Sequence, residues 1–433
     1  MNTRAFFRAV LPSMLSQLLN GFFIIVDGFF IGGAMGDEGL AAINVAWPVV
    51  AVLMSTGLGI GTGGAVLAAA ARGRGDRDAA GHARGTALVV LAAACCVLTG
   101  FFLLSYRTIL PLIGAKDNLY PLAEEYLHVV VTLGSVQVIS AGLMPLLRGM
   151  GRPLAAMGVM VEGLLLNIFL DWLFVWVLRG GMAGAAIATI TAQAAGIPVG
   201  LWLLLRDKNV PCRRAHFVPR LRLCGRILAL GASPFALSVS ASVVILLTNL
   251  QALRYGGTEA VAVYAVLSYV FGSLYPLLTG VGEGAQPLIS YCHGAGDHAG
   301  LHFLRRACFA LSLCCALVLA GGAWLARTQA GVLFGAGPDT VAEAARAMLW
   351  VCLCLPFYGI ARICSSYFCA TGQAKLASLL AFGEPLVAQP LALFLLPLAF
   401  DLDGVWSSLL AAYLALAAVG VFLLRRLLAA GIE

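Results

Sequence analysis

The chain has 433 residues, of which 61% are hydrophobic and 11% charged, and its formal net charge is +7. Soluble domains contain about 45–50% apolar and about 25% charged residues, so a soluble fold of this length could not bury so much apolar surface. The composition excludes a soluble protein and predicts an integral membrane protein.

Long apolar runs, such as 155–178 and 376–400, reach the roughly 20 residues with which a helix crosses a bilayer. The runs lack the alternation of apolar and polar residues that the strands of a membrane barrel show. Helices therefore remain as the structure that satisfies the backbone hydrogen-bonding groups inside a membrane. The predicted fold class is therefore an all-α polytopic membrane protein. Twelve transmembrane helices are predicted, at 6–34, 40–71, 84–106, 120–149, 154–178, 182–206, 226–254, 260–292, 301–326, 338–370, 374–400 and 404–424.

The distribution of lysine and arginine predicts the orientation of these helices. With a cytoplasmic N-terminus, 20 of the 27 basic residues fall on the cytoplasmic side and six on the outer side, while Arg362 stays inside a helix. This positive-inside bias predicts that both termini are cytoplasmic. Topology then explains the net positive charge, and we expect no nucleic-acid partner.

Three short motifs recur at one constant offset of 221 residues, which indicates that the chain is a duplicated unit. The pairs are Gly36-Asp37-Glu38-Gly39 with Gly257-Thr258-Glu259-Ala260, Gly73-Arg74-Gly75-Asp76 with Gly294-Ala295-Gly296-Asp297, and Arg148-Gly149-Met150-Gly151 with Cys369-Ala370-Thr371-Gly372. In a membrane protein, duplication predicts a two-lobed transporter with its path between the lobes. We expect an N-terminal six-helix lobe at 1–206, a basic cytoplasmic linker at 207–225 and a C-terminal six-helix lobe at 226–433.

Four polar side chains are predicted to lie at a similar depth in the first half. Asp27 lies about seven residues before the outer end of the first helix, Asn167 and Asp171 share one face of the fifth, and Thr189 lies about seven residues into the sixth. Two carboxylates, an amide and a hydroxyl suit Na⁺ or a shared proton, so we predict a coupling-ion site. Asn20 lies two turns deeper on the face of Asp27. The alternative is that these are separately satisfied structural groups.

The second half does not repeat this set, because Asp27, Asn167 and Asp171 become Thr248, Ala388 and Ala392 at the same offset. We therefore expect ion coupling in the N-terminal lobe.

Other ionisable residues lie inside predicted helices, namely Glu162, Glu283, Arg362 and Glu384. A buried Arg–Glu pair is one interpretation, because an unpaired arginine in the membrane is costly. A second protonation or substrate-contact site is the other.

Several apparent motifs have plainer explanations. Gly57, Gly61 and the pair Gly59 and Gly63 lie inside an apolar span with no preceding strand, so they predict close helix packing and no dinucleotide site. The repeated Gly-x-Gly-Asp falls at loops, which argues against an intramembrane protease. We expect the six histidines to form no cluster. We also expect the protein to bind no cofactor.

Seven segments form one combination of motifs: 12–17, Val26-Asp27-Gly28-Phe29-Phe30-Ile31-Gly32, Leu40-Ala41-Ala42, Gly73-x-Gly75-Asp76, 147–153, Leu166-Asn167-Ile168-Phe169-Leu170-Asp171 and Gln286-Pro287-Leu288-Ile289-Ser290-Tyr291. With these motifs, the chain resembles the multidrug and toxic compound extrusion (MATE) transporters over essentially its whole length. The resemblance implies two pseudo-twofold-related six-helix bundles that alternate between outward-open and inward-open forms. It also implies export of bulky, often cationic and apolar compounds in exchange for Na⁺ or H⁺.

The same resemblance implies that Asp27, Asn167, Asp171 and Thr189 hold the coupling ion, and that the first helix bends at Pro12. The chain departs from some relatives in two places. The region 238–248 lacks the acid that those relatives carry in the seventh helix, and Glu283 stands where a glutamine is more usual.

We therefore expect a monomeric secondary antiporter, without enzyme activity, in a bacterial cytoplasmic membrane. Its substrates would be small drug-like molecules, and the sequence does not distinguish Na⁺ from H⁺. Three alternatives stay open: a flippase for a lipid or lipid-linked precursor, an intramembrane aspartyl protease using Asp27 and Asp171, and a sensory or scaffold protein with a transporter shell.

Overall fold

The computed structural model describes residues 2–113, 115, 119–207, 210–329 and 338–431. Within these residues, eleven helices are long and apolar enough to cross a membrane, and a pair bent by 61° makes a twelfth span. The predicted all-helical polytopic fold is confirmed.

The helices of the first half are α1 Thr3–Gly36, α2 Glu38–Gly73, α3 Arg77–Leu112, α4 Leu119–Thr132 with Gly134–Gly149, α5 Pro153–Val177 and α6 Gly181–Leu205. Those of the second half are α7 Leu221–Gly257, α8 Glu259–Ala295, α9 His298–Leu325, α10 Pro338–Ala370, α11 Ala374–Leu395 and α12 Pro397–Ala429.

The repeated sequence motifs mark the breaks between helices. Each contains a glycine with positive φ, a backbone conformation that side chains with a Cβ rarely adopt. The three pairs are Gly36 and Gly257 (φ 63° and 66°), Gly75 and Gly296 (76° and 67°), and Gly151 and Gly372 (78° and 79°). The duplication therefore preserves the turns.

The aspartates of the two Gly-x-Gly-Asp motifs cap the helices that follow them. Asp76 accepts a hydrogen bond from the backbone N–H of Ala79 at 2.8 Å, and Asp297 accepts one from Gly300 at 2.8 Å. Each side chain satisfies a donor that the first turn of a helix leaves without a partner. Both motifs are helix starts, which explains why α3 begins earlier than the predicted residue 84.

Two helices contain a π-helical stretch beside an intramembrane acid. In α5 it covers Trp172–Val177, directly after Asp171, and in α11 it covers Glu384–Ala388. Such stretches are rare and frequently occur at functional sites.

Contacts divide the chain into two compact units, one of residues Leu18–Phe235 and one of Met1–Gln17 with Ala236–Glu433. The first turns of α1 therefore belong to the unit that holds most of the second half, and those of α7 to the unit that holds most of the first half. The lobes at 1–206 and 226–433, with the linker between them, stay a prediction.

Glycines allow close backbone contact in the unit Leu18–Phe235. A Cβ added to Gly57 or Gly61 of α2 would overlap the backbone of Val138 or Gly142 in α4. On the other side of α2, a Cβ added to Gly59 or Gly63 would overlap the backbone of Gly231 or Ile227 in the first turns of α7. The predicted role of these glycines in close helix packing is confirmed.

The second unit repeats this arrangement at the 221-residue offset. A Cβ on Gly280 or Gly284 of α8 would lie 2.7 Å from Cα of Met14 or Val10 in α1. A cluster of buried apolar residues that includes Tyr264, Met348 and Trp406 forms the core of this unit.

Candidate functional site

Four polar side chains from three helices come together in the unit Leu18–Phe235. The hydroxyl Oγ1 of Thr189 in α6 donates a hydrogen bond to Oδ2 of Asp27 in α1, at 3.3 Å. The carboxyl group of Asp27 also faces the side chains of Asp171 and Asn167 in α5. These are the four residues that depth counting brought together.

Most of this cluster is shielded from solvent. Asn167 is 0% and Asp171 2% exposed, while Asp27 is half-buried. Four of its polar atoms are buried without a hydrogen-bond partner, namely Asp27 Oδ1, Asp171 Oδ2 and both side-chain atoms of Asn167. Each buried polar group without a partner costs about 1–3 kcal/mol, so the cluster has a strong demand for a ligand.

Two further residues near this cluster were not predicted from the sequence. The buried side chain of Tyr126 in α4 lies near both carboxyl groups. Gln193 lies one helical turn from Thr189 on α6, and its Oε1 is buried without a partner. A count of acids at matched depth could not find neutral side chains of this kind.

An aromatic contact fixes α5 against α1 beside the acids. The indole Nε1 of Trp176 donates to the carbonyl of Phe30 at 3.3 Å, and the two rings pack edge to face at 4.9 Å. Phe30 lies three residues after Asp27, and Trp176 lies in the π-helical stretch after Asp171. The contact therefore joins α1 to α5 close in sequence to both acids.

The other predicted residues of the first half lie elsewhere. Asn20 is half-buried on α1, two turns or about 10 Å from Asp27. Glu162 is half-buried on α5 and faces Gly196 of α6. Pro12 is buried in the first turns of α1, which remain helical around it, and its carbonyl accepts a 2.7 Å hydrogen bond from Ser16.

The second unit contains a buried Arg–Glu pair. Nη2 of Arg362 donates to Oε2 of Glu384 at 2.9 Å and to the hydroxyl of Tyr413 at 3.3 Å. Tyr413 also hydrogen-bonds the other carboxylate oxygen of Glu384, and the guanidinium lies 4.8 Å from the ring centre of Tyr358. The glutamate therefore neutralises the arginine. Glu283 lies half-buried on α8 in this unit.

The counterpart of Asp27 in this unit offers no comparable ligand. The hydroxyl of Thr248 donates to the carbonyl of Val244 in its own helix, at 2.8 Å. The positions equivalent to Asn167 and Asp171 are alanines.

A model of the MatE family matches residues 12–173 and 234–394, most of both halves. The chain belongs to the MATE transporter family. Multidrug export protein MepA of Staphylococcus haemolyticus is 25% identical to this MATE transporter over 410 residues, covering 93% of this chain and 88% of the relative. MepA of Staphylococcus aureus is 24% identical over 419 residues, covering 96% and 92%.

The fold agrees with a solved structure described as the outward-facing conformation of a multidrug resistance MATE family transporter. The TM-score is 0.92 at 23% identity, and the match covers 99% of this chain and 96% of the other. Family membership makes the chain an integral membrane transporter and excludes the aspartyl-protease alternative, although Asp27 and Asp171 lie side by side.

One expectation was wrong, because His82 and His216 do form a cluster. Together with Asp78 they place three potential ligand atoms within 4.8 Å of one another. The two histidines are 134 residues apart in the chain, and only the docking of a segment after α6 onto α3 brings them together.

Proposed function

We propose that this MATE transporter is a secondary antiporter in which Asp27, Asn167, Asp171 and Thr189 bind the coupling cation. The observation that carries the proposal is the group of four buried polar atoms without partners in this cluster. Helices from three parts of the chain converge there on oxygen atoms, and a bound ion would supply the missing interactions.

The cluster suits Na⁺ through its donor atoms, since two carboxylates, an amide oxygen and a hydroxyl oxygen are ligands of hard cations. It suits a proton through the contact between Asp27 and Asp171, because two adjacent carboxylates in a buried site favour sharing one proton. Either ion would reduce the repulsion between the two carboxylates.

Coupling requires that the ion and the substrate each favour a different state of the transporter. We propose that cation binding at Asp27 bends α1 near Pro12 and so weakens binding of the substrate. Pro12 favours a bend there, because proline has no N–H to donate to the carbonyl of Arg8 and one backbone hydrogen bond is already missing.

For the substrates, we propose bulky drug-like molecules, cationic or amphipathic, because the relatives named above are multidrug export proteins. The flippase alternative is weaker. A lipid phosphate would call for a free cation in the transport path, and Arg362 is already neutralised by Glu384 at 2.9 Å.

We further propose that the protein works as a monomer in a bacterial cytoplasmic membrane, with both termini cytoplasmic. Bacterial relatives and the excess of basic residues on one side of the predicted topology support this location and orientation.

The test is dye efflux from proteoliposomes under a Na⁺ gradient alone and under a pH gradient alone. Efflux under only one gradient identifies the coupling ion. Efflux under neither would contradict cation-coupled antiport, provided that substrate binding to the purified protein is shown separately.

A further inference from the structure

The segment between α6 and α7 carries a dense group of basic side chains. Residues 207–226 contain five arginines, one lysine and a single aspartate. All five arginines are exposed, and we call them the arginine surface: Arg213, Arg214, Arg220, Arg222 and Arg226. Lys208 and Asn209 lie outside the described residues. A basic group of this size directly beside a transmembrane helix is the pattern with which proteins bind anionic lipids.

This segment is fixed to the transporter by Arg84 of α3, which is 0% exposed. Its guanidinium donates to the carbonyls of Leu204 at 2.7 Å, Val210 at 3.2 Å and Pro211 at 3.0 Å. These three carbonyls belong to the end of α6 and to the segment itself. Arg84 therefore fixes the backbone at the beginning of the segment against α3.

The middle of the segment is fixed by His216, which is buried in a short turn of helix on α3. The absence of side chains at Gly81 and Gly85 makes room for it, because a Cβ at either position would overlap His216. His216 Nε2 lies 2.9 Å from Oδ1 of Asp78, and Nδ1 of His82 lies 3.3 Å from the other oxygen of the same carboxylate. We call Asp78, His82 and His216 the clasp.

Hydrogen bonds show that the clasp is a structural network and not a metal site. His82 Nε2 lies 3.0 Å from Nη2 of Arg220, and a guanidinium can only donate. Nδ1 of His216 likewise accepts from the backbone N–H of Arg213 at 3.4 Å. An imidazole that binds a metal donates from its second nitrogen. Here both second nitrogens accept. His216 therefore donates from Nε2 to the Asp78 carboxylate at 2.9 Å, and His82 donates from Nδ1 to the backbone carbonyl of Asp78 at 3.1 Å.

The clasp engages two of the five arginines. Arg213 lies 3.8 Å from Asp78, and Arg220 is engaged with His82. Among the residues that the structure describes, no carboxylate forms an ion pair with Arg214, Arg222 or Arg226. These three guanidinium groups are available for an anionic ligand.

Exposed aliphatic side chains lie among the arginines. Val218 is 63% and Leu221 88% exposed, at the point where α7 begins. Leu228 follows seven residues after Leu221, on the same face of α7, and is also exposed. Basic and apolar side chains in this order match the boundary between lipid headgroups and acyl chains.

We propose that the arginine surface is a binding site for the headgroups of anionic phospholipids. The unpaired guanidinium groups would bind the lipid phosphates, and Val218 and Leu221 would contact the adjacent acyl chains. Arg84 and the clasp hold the site in shape, so that the arginines act as one surface.

The binding test measures the association of spin-labelled phosphatidylglycerol and phosphatidylcholine with the full-length transporter in membranes. Wild type should prefer phosphatidylglycerol about threefold or more. The triple variant Arg214→Gln/Arg222→Gln/Arg226→Gln should lose most of this preference. The matched control Arg306→Gln/Arg425→Gln/Arg426→Gln removes three exposed charges from the other unit and should keep it. No preference in wild type, or equal loss in the control, would overturn the proposal.

A second arm tests the docked geometry without removing an arginine. Gly85→Val would displace His216 and should lower the lipid preference, while unfolding monitored in phosphatidylcholine verifies that the variant is folded. Arg→Lys at the three positions keeps the charges and should retain at least half of the preference. Inorganic phosphate at constant ionic strength should not compete. Full competition by phosphate, or full preference in a folded Gly85→Val, would overturn the proposed lipid site.

Discussion

Thr189 Oγ1 lies 3.3 Å from Asp27 Oδ2 and donates a hydrogen bond that joins α6 to α1, across 162 residues of chain. The hydroxyl directs its hydrogen to the carboxylate, and its lone pairs are left to face a ligand. The same contact thus orients Asp27 and contributes an oxygen atom to the proposed cation site.

Replacing Asp27 by Asn should abolish gradient-driven efflux, with a loss of at least tenfold. The amide is nearly isosteric with the carboxylate, but it neither titrates nor supplies charge to a cation. Efflux is measured in proteoliposomes under the gradient that drives the wild type.

The matched control is Asp403→Asn. In the wild type, the carboxylate of Asp403 is half-exposed and lies 3.6 Å from Arg346. Surface ion pairs contribute little to stability, so this variant should transport like the wild type. Unchanged efflux in Asp27→Asn would remove Asp27 from the coupling mechanism.

Replacing Asn167 by Leu should separate coupling from stability. Both polar atoms of Asn167 are buried without a partner, so an apolar side chain of similar volume should leave the thermal unfolding midpoint unchanged or raise it. Coupled efflux should fall at least tenfold, because the amide oxygen is lost from the cation site. Both quantities are measured on the same purified variant.

Gln251→Leu is the comparison variant, because the buried side chain of Gln251, unlike that of Asn167, has a hydrogen-bond partner. It donates to the carbonyl of Leu393 at 2.8 Å. Its loss leaves a buried carbonyl unsatisfied and should cost about 1–2 kcal/mol of stability while coupling persists. If Asn167→Leu instead unfolds readily and still couples, Asn167 is a structural residue.

Sequence patterns predicted the membrane spans from local hydropathy and the duplication from motifs at a constant offset. They also predicted the depth of the intramembrane acids from residue spacing along each helix. The cluster of Asp27, Asn167, Asp171 and Thr189 could be predicted because helices that cross the same bilayer share a depth scale. Depth cannot tell which helices are neighbours, so Tyr126 was missed.

The clasp was missed for a different reason. His82 and His216 meet only because a segment without regular periodicity docks at Gly81 and Gly85, and no hydropathy pattern reports such docking. The sequence also could not show which residue pairs with Arg362. A structural ion pair with Glu384 and a second functional site were both compatible with it.

Replacing Arg362 by Met should destabilise the protein by about 3–5 kcal/mol, because Glu384 is left as an uncompensated buried charge. The double variant Arg362→Met/Glu384→Gln should recover most of this loss, measured as the unfolding midpoint in detergent. Coupling should persist in the double variant, since the pair already neutralises itself. Loss of coupling in a stable double variant would assign the pair a direct part in transport.

Replacing Gly61 by Ala should destabilise the unit Leu18–Phe235. The new Cβ would overlap the backbone of Gly142, so α2 and α4 must move apart, and overpacking of this kind costs about 1–3 kcal/mol. Gly158 is the matched control, because a Cβ there meets no atom within 4 Å. Gly158→Ala should be neutral or stabilise by about 0.5–1 kcal/mol through helix propensity. Equal unfolding midpoints for the two alanine variants would contradict the assignment of Gly61 as a backbone contact that holds α2 against α4.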